Sequence, residues 1–378
     1  MDLECKYGTA NGCAYATVEP ARSHSLGLQS GARSMRIRPK LFDWDNLGGP
    51  QWVQPELSHS ELNELTEAAV MFIGHDPAAP NRAVVLGSGF IVGVLDTLIV
   101  ATASHIFTWW ADKIHPSATH ALRGLVGDRD DVIGRLQAVI LNHRIAACVT
   151  PKGALSGILL PVVGLAINSN PRDLDIGFVQ LGIPPDADRG NFRALPIDAD
   201  PFSFQDPVLM AGYVGGGREY SIGEQPLDAG VYEQKFAVRA GRVGELVKEP
   251  DGHRSAMYRV NIPSLPGMSG GPLIALRSTE SEGLSIATAV GVISSSRLGS
   301  PILLNHCEEG ETWVSPIVLG LGRKVSINGN PTTIGDAIHD STIPAYGARA
   351  RRFEFIREES NGVAVTTFRE RDDSPDGR

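Results

Sequence analysis

Short runs of apolar residues, separated by turn residues, constrain the fold of this 378-residue chain more than any other feature of its sequence. The clearest two lie at 84–94 and 97–103, are rich in Val and Ile, and are joined by Leu95-Asp96, which predicts a β-hairpin. The 42 glycines and 25 prolines supply many further turns, and long helical periods are absent. This pattern is typical of an all-β barrel or sandwich.

The apolar runs fall into two series of similar size. The first series comprises 69–74, 84–94, 97–103, 157–167 and 175–181. The second starts near Asp206 and comprises 207–217, 231–247, 257–262, 272–276 and 287–296. We interpret 231–247 as two strands, and the glycines at 215–217 as a loop at a strand end, because no helix of the phosphate-binding type follows them. The sequence therefore predicts two β modules.

Both flanks of the β series carry local signals of a different kind. Ser58-His59-Ser60-Glu61 has the pattern of a capping box and predicts a helix through Glu67, whereas the residues before it are interpreted as loosely structured. After the β series, a short helix is predicted to begin at Thr332 or Thr333. Further on, Asn361-Gly362 predicts the turn of a charged hairpin.

Charge and cysteine content limit the partners and the compartment. A net charge of −9 argues against general binding to nucleic acid or to anionic membranes. The first residues have no apolar core behind a basic start, which argues against a secretion signal. Few, scattered cysteines favour free thiols in a reducing compartment: Cys5, Cys13, Cys148 and Cys307. We predict a cytoplasmic protein that needs no metal or cofactor.

One serine lies in a glycine-rich setting that suits nucleophilic catalysis. Residues 261–273 read NIPSLPGMSGGPL, and we call 261–271 the serine loop. Glycines around Ser269 permit a sharp turn and a close approach of the backbone to a ligand. Consecutive N–H groups beside an exposed hydroxyl have the geometry of an oxyanion hole. A serine also needs a base and an orienting carboxylate, because its hydroxyl is a poor nucleophile at neutral pH.

The base and the carboxylate both have candidates upstream. His105 is predicted to end a buried strand in VATASHIF, and Asp175 to open another in DLDIGFVQL. Asp173 is a rival for the acid role, but its position before the strand favours a turn residue. Four other histidines are interpreted as ordinary surface or core residues: His75, His115, His120 and His143.

Five motifs in this order resemble the trypsin/chymotrypsin family of serine proteases, and within it the bacterial HtrA-like branch. They are GSGFIVGV, TLIVATASHIF, DLDIGFVQL, NIPSLPGMSGGPL and AVGVISSS, spanning roughly 66–322. The resemblance implies an all-β fold of two packed antiparallel six-stranded β-barrels with the site in the cleft between them. It implies a catalytic triad of His105, Asp175 and Ser269, and an oxyanion hole formed by the N–H groups of Gly267 and Ser269. It also implies that Ser294, Ser295 and Ser296 lie on a strand that pairs with the substrate.

The resemblance also sets expected boundaries. We predict an N-terminal extension at 1–64, a peptidase domain at 65–325 and a C-terminal extension at 326–378. Within the domain, the first barrel is expected at about 66–200 and the second at about 205–322. An insertion is implied around 111–155, and a peptide-binding module of the PDZ type is not evident after the domain.

Two positions depart from well-known members of the family. Met268 precedes the serine where zymogen-activated members carry an aspartate, which argues against activation by cleavage of that kind. The floor of the specificity pocket, near Pro263 and Ser264, offers no charge, which argues against a preference for Arg or Lys.

Two other functional classes stay open. Residues 267–271 also fit the Gly-x-Ser-x-Gly pattern of α/β-hydrolase esterases, but that fold places its acid and histidine after the serine. The histidines after Ser269 are His306 and His339, Asp336 is only three residues from His339, and the alternating helices of that fold are absent from the sequence pattern. A protease-like domain can instead bind a partner, or be latent until an activating protein partner switches it on. Because the triad is complete, we predict a serine endopeptidase that acts on a protein or peptide substrate.

Overall fold

The computed structural model describes residues 2–5, 36–37, 52–53, 55, 57–75, 79, 81–114, 145–167, 174–197, 207–217, 219–221, 232–247, 256–278, 285–294, 311–327, 330–339, 353–360 and 363–370. The strands of these residues in the first half are β1 Asp2–Cys5, β2 Arg36–Ile37, β3 Trp52–Val53, β4 Ala69–His75, β5 Arg82–Val94, β6 Thr97–Thr102, β7 Ile145–Val149, β8 Ser156–Ala166 and β9 Gly177–Gly182. Those in the second half are β10 Pro207–Val214, β11 Glu219–Ser221, β12 Tyr232–Val247, β13 Met257–Val260, β14 Pro272–Ser278, β15 Ser285–Ser294, β16 Thr312–Pro316, β17 Lys324–Ile327, β18 Asn330–Thr333, β19 Phe353–Ser360 and β20 Val363–Glu370. The helices are α1 His59–Ala68, α2 Ser104–Ile114, α3 Val318–Leu321 and α4 Ile334–His339, with a 3-10 turn at Arg189–Asn191.

Twelve of these strands close into two antiparallel barrels. In the first barrel, β4 pairs with β5, β5 with β6, β6 with β9, β9 with β8, β8 with β7, and β7 returns to β4. In the second barrel, β10 pairs with β12, β12 with β13, β13 with β16, β16 with β15, β15 with β14, and β14 returns to β10. The predicted fold of two six-stranded β-barrels is therefore confirmed.

Apolar side chains fill the barrels and continue from one to the other. The largest cluster contains Phe72, Phe90 and Leu98 of the first barrel together with Leu209 and Ile274 of the second, all fully buried. Burial of a side chain of this size stabilises the fold by about 1.5–3 kcal/mol. One apolar cluster therefore extends through both barrels and packs them against each other.

The structure corrects one predicted pair of strands and the bounds of the implied insertion. The run at 231–247 forms one strand, β12, because a bulge between Val243 and Glu245 bends it without a break. Its first part pairs with β10 and its last part with β13. The implied insertion at 111–155 is also too wide, since it contains β7, a strand of the first barrel that small residues made hard to recognise.

The flanking signals mostly match the structure. Helix α1 begins after a capping box in which Ser58 and Glu61 each bind the other's backbone N–H. Thr333 caps α4 by accepting a hydrogen bond from the Asp336 N–H at 3.1 Å. Strands β19 and β20 form a hairpin with Ser360 opposite Val363, so the predicted two-residue link is confirmed. The residues before α1 contribute three short strands, β1 to β3, to the barrels. The domain boundaries themselves stay predictions.

The chain returns to the first barrel after completing the second. Helix α3 follows β16 directly, and a side chain at Gly320 would collide with Phe178 and Ile176 of the first barrel. Arg323 donates a hydrogen bond to the Ala166 carbonyl oxygen in β8 at 2.8 Å, and burial lowers the pKa of Arg323 to about 10. Helix α4 lies against β5.

Cys148 corrects one sequence prediction. This buried residue of β7 is disulfide-bonded, so the prediction of free thiols is wrong for it. The cytoplasmic prediction thereby loses one of its arguments. Among the described helices, none has the length and apolar character needed to cross a membrane.

Candidate active site

Helix α2 carries His105 at its second residue, so the prediction that His105 ends a strand is wrong. Strand β6 ends at Thr102. The apolar run continues through Ile106, Phe107 and Trp110, which are buried on the inner face of the helix. Such a run does not reveal where a buried strand ends and a buried helix begins. Helical packing on the core thus fixes the imidazole at the edge of the first barrel.

Asp175 binds His105 through both carboxylate oxygens. Its Oδ2 lies 2.6 Å from His105 Nδ1, and its Oδ1 accepts a hydrogen bond from the His105 backbone N–H at 2.9 Å. Asp175 is 2% exposed and lies two residues before β9, not at its first residue as predicted. Ser104 Oγ ties the two segments together by donating to the Ile176 carbonyl oxygen at 2.7 Å. Hydrogen bonds that involve the backbone of both segments therefore hold His105 and Asp175 in place relative to each other.

The surroundings of Asp175 keep its carboxylate ionised. Burial alone would raise the pKa of Asp175, because it removes the charge from water. The charge of His105 and hydrogen bonds from His105 and Ser294 outweigh burial, and the pKa of Asp175 lies below its ordinary value of 3.8. In the neutral imidazole, an ionised carboxylate at Nδ1 assigns the single proton to that nitrogen, which leaves Nε2 as the hydrogen-bond acceptor.

The second ring nitrogen of His105, Nε2, has no hydrogen-bond partner among the described residues. It is also buried. Ser269 lies in the serine loop and is 9% exposed. The hydrogen bond between His105 Nε2 and the Ser269 hydroxyl is therefore not formed in this structure. Catalytic hydrogen bonds are often long before a substrate binds, so this gap does not remove Ser269 as a candidate nucleophile.

Backbone carbonyl groups of the serine loop are held so that two N–H groups point the other way. The Pro266 carbonyl oxygen accepts from Gly215 N and Gly216 N at 2.8 and 3.1 Å, and the Met268 carbonyl oxygen accepts from Gly271 N at 2.9 Å. These peptide bonds are trans, so each N–H points opposite to its carbonyl. The N–H groups of Gly267 and Ser269 thus point away from the partners of these carbonyl groups. Gly267 has φ 98°, a left-handed conformation that favours glycine.

The glycines at 215–217, which we call the glycine loop, have a role at the site that sequence analysis missed. A Cβ atom on Gly216 would lie 2.4 Å from the Gly267 nitrogen, so the two loops touch backbone to backbone. Only glycine permits this approach. A glycine cluster at a strand end was a visible signal, but the contact itself depends on the tertiary fold.

Two other positions near the serine show how the loop is anchored. Met268 is fully buried in the core of the second barrel. This position, where zymogen-activated members carry an aspartate, is therefore held by apolar packing. The Pro263 carbonyl oxygen accepts a hydrogen bond from Arg239 Nη1 at 2.5 Å. Burial lowers the pKa of the Arg239 guanidinium. The floor near Pro263 therefore has a cation beside it, where the sequence indicated no charge.

The remaining predicted site residues divide into two groups. Ser294, the last residue of β15, donates its hydroxyl hydrogen bond to Asp175 Oδ2, so its side chain contacts the carboxylate. Ser295, Ser296 and the rival acid Asp173 lie outside the described residues.

Two closed barrels with a buried His–Asp pair and a glycine-flanked serine loop define the chymotrypsin-like class. Residues 87–280 match the model of the trypsin-like peptidase domain family, and the chain belongs to that family. It is accordingly a serine protease, a hydrolase. The comparison with curated proteins found no match.

Solved structures that match this chain include two forms of one protease. The active form of the Rv3671c protease from M. tuberculosis is 15% identical, with 68% of this chain and 78% of that chain covered and a TM-score of 0.37. The inactive form of the Rv3671c protease is 16% identical, with 68% of this chain and 89% of that chain covered and a TM-score of 0.36.

Proposed function

We propose that this chain is a serine endopeptidase that hydrolyses peptide bonds through an acyl-enzyme intermediate. Ser269 Oγ attacks the scissile carbonyl carbon, while His105 Nε2 takes the hydroxyl proton and then donates it to the leaving amine. The N–H groups of Gly267 and Ser269 bind the oxyanion of the tetrahedral intermediate. Water then attacks the acyl ester, with His105 again as the base, and this step releases the carboxylic acid and restores Ser269.

The observation that carries this proposal is the buried His105–Asp175 pair. The 2.6 Å contact at Nδ1 keeps Nε2 as the basic nitrogen, and the carboxylate stabilises the imidazolium that forms after proton transfer. The second contact, from the His105 N–H to Oδ1 at 2.9 Å, prevents the carboxylate from rotating away. A pair that served structure alone would not need a buried Nε2 that has no hydrogen-bond partner among the described residues.

Labelling with a fluorescent fluorophosphonate tests the proposal. We expect wild type to be labelled, Ser269→Ala to show no labelling, and His105→Ala to react slower by roughly 10³-fold or more, because the triad acts as a unit. Ser315→Ala is the matched control, since its hydroxyl is buried in β16 without a hydrogen-bond partner among the described residues. Hydrolysis of a peptide substrate by Ser269→Ala would refute the mechanism.

A second function has one observation in its favour. Because the His105–Ser269 hydrogen bond is not formed, the chain also suits a latent domain that an activating protein partner switches on. In that case folded wild type would label slowly by itself, and partner binding would accelerate labelling without changing the amount of folded protein. Rapid labelling of the isolated chain would reject latency.

We also propose that the substrate is a protein or peptide whose backbone pairs along 294–296. Pairing of an extended peptide with an exposed strand edge supplies affinity through main-chain hydrogen bonds. A peptide in which the amides nearest the scissile bond are N-methylated should therefore have a raised KM, whereas methylation far from the scissile bond should leave KM unchanged.

A further inference from the structure

Ser88 of β5 is a fully buried residue that the triad does not use, yet it contacts the serine loop twice. Its hydroxyl donates to the Gly267 carbonyl oxygen at 2.7 Å, and its backbone N–H donates to the Ser269 carbonyl oxygen at 2.8 Å. Ser88 belongs to the first barrel, whereas the serine loop belongs to the second. These bonds therefore cross from one barrel to the other at the proposed oxyanion hole.

The same hydroxyl also binds the strand that leads into the glycine loop. Ser88 Oγ accepts a hydrogen bond from the Tyr213 backbone N–H at 2.8 Å, so the oxygen is both a donor and an acceptor. The Ser88 carbonyl oxygen in turn accepts from Thr102 Oγ1 at 2.7 Å, which holds β5 in place next to β6. One side chain thus connects β5, β10 and the serine loop.

Three consecutive carbonyl groups of the serine loop each accept a hydrogen bond, and the Ser88 contact with Gly267 is the middle one. Pro266 is held by the glycine loop, Gly267 by Ser88, and Met268 by the Gly271 N–H. Three consecutive carbonyl directions fix the intervening peptide planes, and with them the directions of the Gly267 and Ser269 N–H groups. Glycine at 267 has many backbone conformations available, so this residue needs an external restraint to stay in one of them.

We propose that Ser88 is a positioning residue that keeps the oxyanion hole formed and makes it depend on the contact between the barrels. The catalytic part of this inference rests on the proposed function. Removal of the hydroxyl leaves the Gly267 carbonyl buried without its donor, which favours rotation of that peptide toward another partner. The N–H groups on either side would then lose the direction that the oxyanion needs.

The test compares Ser88→Ala with wild type and with Ser315→Ala, the control for loss of a buried serine hydroxyl. We expect kcat to fall by about 10–100-fold, less than the full loss of an oxyanion donor, with KM within threefold. Affinity for a peptide aldehyde, which forms a tetrahedral adduct, should fall in parallel with kcat. A kcat within threefold of wild type in a folded, active protein would overturn the proposal.

A second measurement does not need activity. Hydrogen–deuterium exchange of the peptide covering 261–273 should be at least tenfold faster in Ser88→Ala. The Gly271 N–H donates to the Met268 carbonyl oxygen and the Gly270 N–H to the Ile293 carbonyl oxygen in β15, so both amides are protected only while the serine loop keeps its conformation. Exchange unchanged from wild type would overturn the positioning role. If wild type neither labels nor hydrolyses, the proposed function fails, and the exchange result alone then decides whether Ser88 positions the loop.

Discussion

Gly216→Ala perturbs the proposed oxyanion hole without replacing any residue of the proposed triad. The new Cβ atom would lie 2.4 Å from the Gly267 nitrogen and 2.7 Å from its Cα atom. Both neighbours are backbone atoms, so no flexible side chain can yield. Because ordinary van der Waals contact begins at about 3.4 Å, the loops must separate by about 1 Å.

A separation of about 1 Å has two measurable consequences. Misplacement of this size costs about 10²-fold in rate, and loss of one oxyanion donor costs about 10²–10³-fold, so we expect kcat to fall by 10²–10³. The two hydrogen bonds to the Pro266 carbonyl also weaken, at about 0.5–1.5 kcal/mol each, so the free energy of unfolding should fall by about 1–3 kcal/mol.

The assay is kcat on a chromogenic peptide substrate, measured well below the thermal midpoint of each variant. Gly153→Ala is the matched control: it makes the same substitution at a distant glycine, where a Cβ atom meets nothing within 4 Å. Gly153 has φ 70°, so its variant has a backbone cost of about 1–2 kcal/mol but should keep its kcat. A folded Gly216→Ala variant with kcat within threefold of wild type would show that the glycine loop does not set the oxyanion hole.

Three further predictions concern charges at the site. The pKa of Asp175 is lower in the folded protein than its ordinary 3.8, so the ionised carboxylate stabilises the fold fully above pH 3.8, and this contribution is lost as pH falls through the folded pKa. Measured by urea unfolding from pH 6 to pH 2.5, the free energy of unfolding should therefore fall less steeply in Asp175→Asn than in wild type. Equal slopes in the two proteins would contradict this prediction. Ser294→Ala removes one hydrogen bond to that carboxylate, so the pKa of Asp175 should rise and kcat should fall about tenfold, as read from the pH–rate profile; an unchanged profile would argue against the contact. Arg239→Gln removes the cation beside Pro263, and with it the repulsion of a substrate side chain of the same charge. The kcat/KM for substrates with Lys or Arg before the scissile bond should therefore rise relative to the kcat/KM for substrates with Leu there. An unchanged ratio would place Arg239 outside the specificity pocket.

Local chemistry made part of this molecule predictable. The capping box at Ser58, the two-residue link after β19 and the hairpin at Leu95-Asp96 are set by neighbours in the chain, so their signals are visible in the sequence. The order of His105, Asp175 and Ser269 was visible for a different reason. Each lies next to an apolar run whose pattern resembles the family.

Other features depend on groups that meet only in the folded chain. The Ser88 hydroxyl reaches Gly267, 179 residues away, and nothing near Ser88 in sequence indicates that contact. The close approach of Gly216 to Gly267 is likewise a property of packed backbones. The bulge in β12 and the start of α2 were missed because apolar runs report burial more strongly than backbone geometry.

The return of α3 and α4 to the first barrel has a consequence for the order in which the protein is made. During synthesis the first barrel emerges long before residues 318–339, so Ile176 and Phe178 lack their covering segment until the second barrel is also complete. Asp175 is the neighbour of Ile176 in the chain, and its hydroxyl donor Ser294 lies in β15 of the second barrel. A nascent chain that has not yet made the second barrel should therefore lack part of the environment of Asp175, and we expect it to be inactive as a protease.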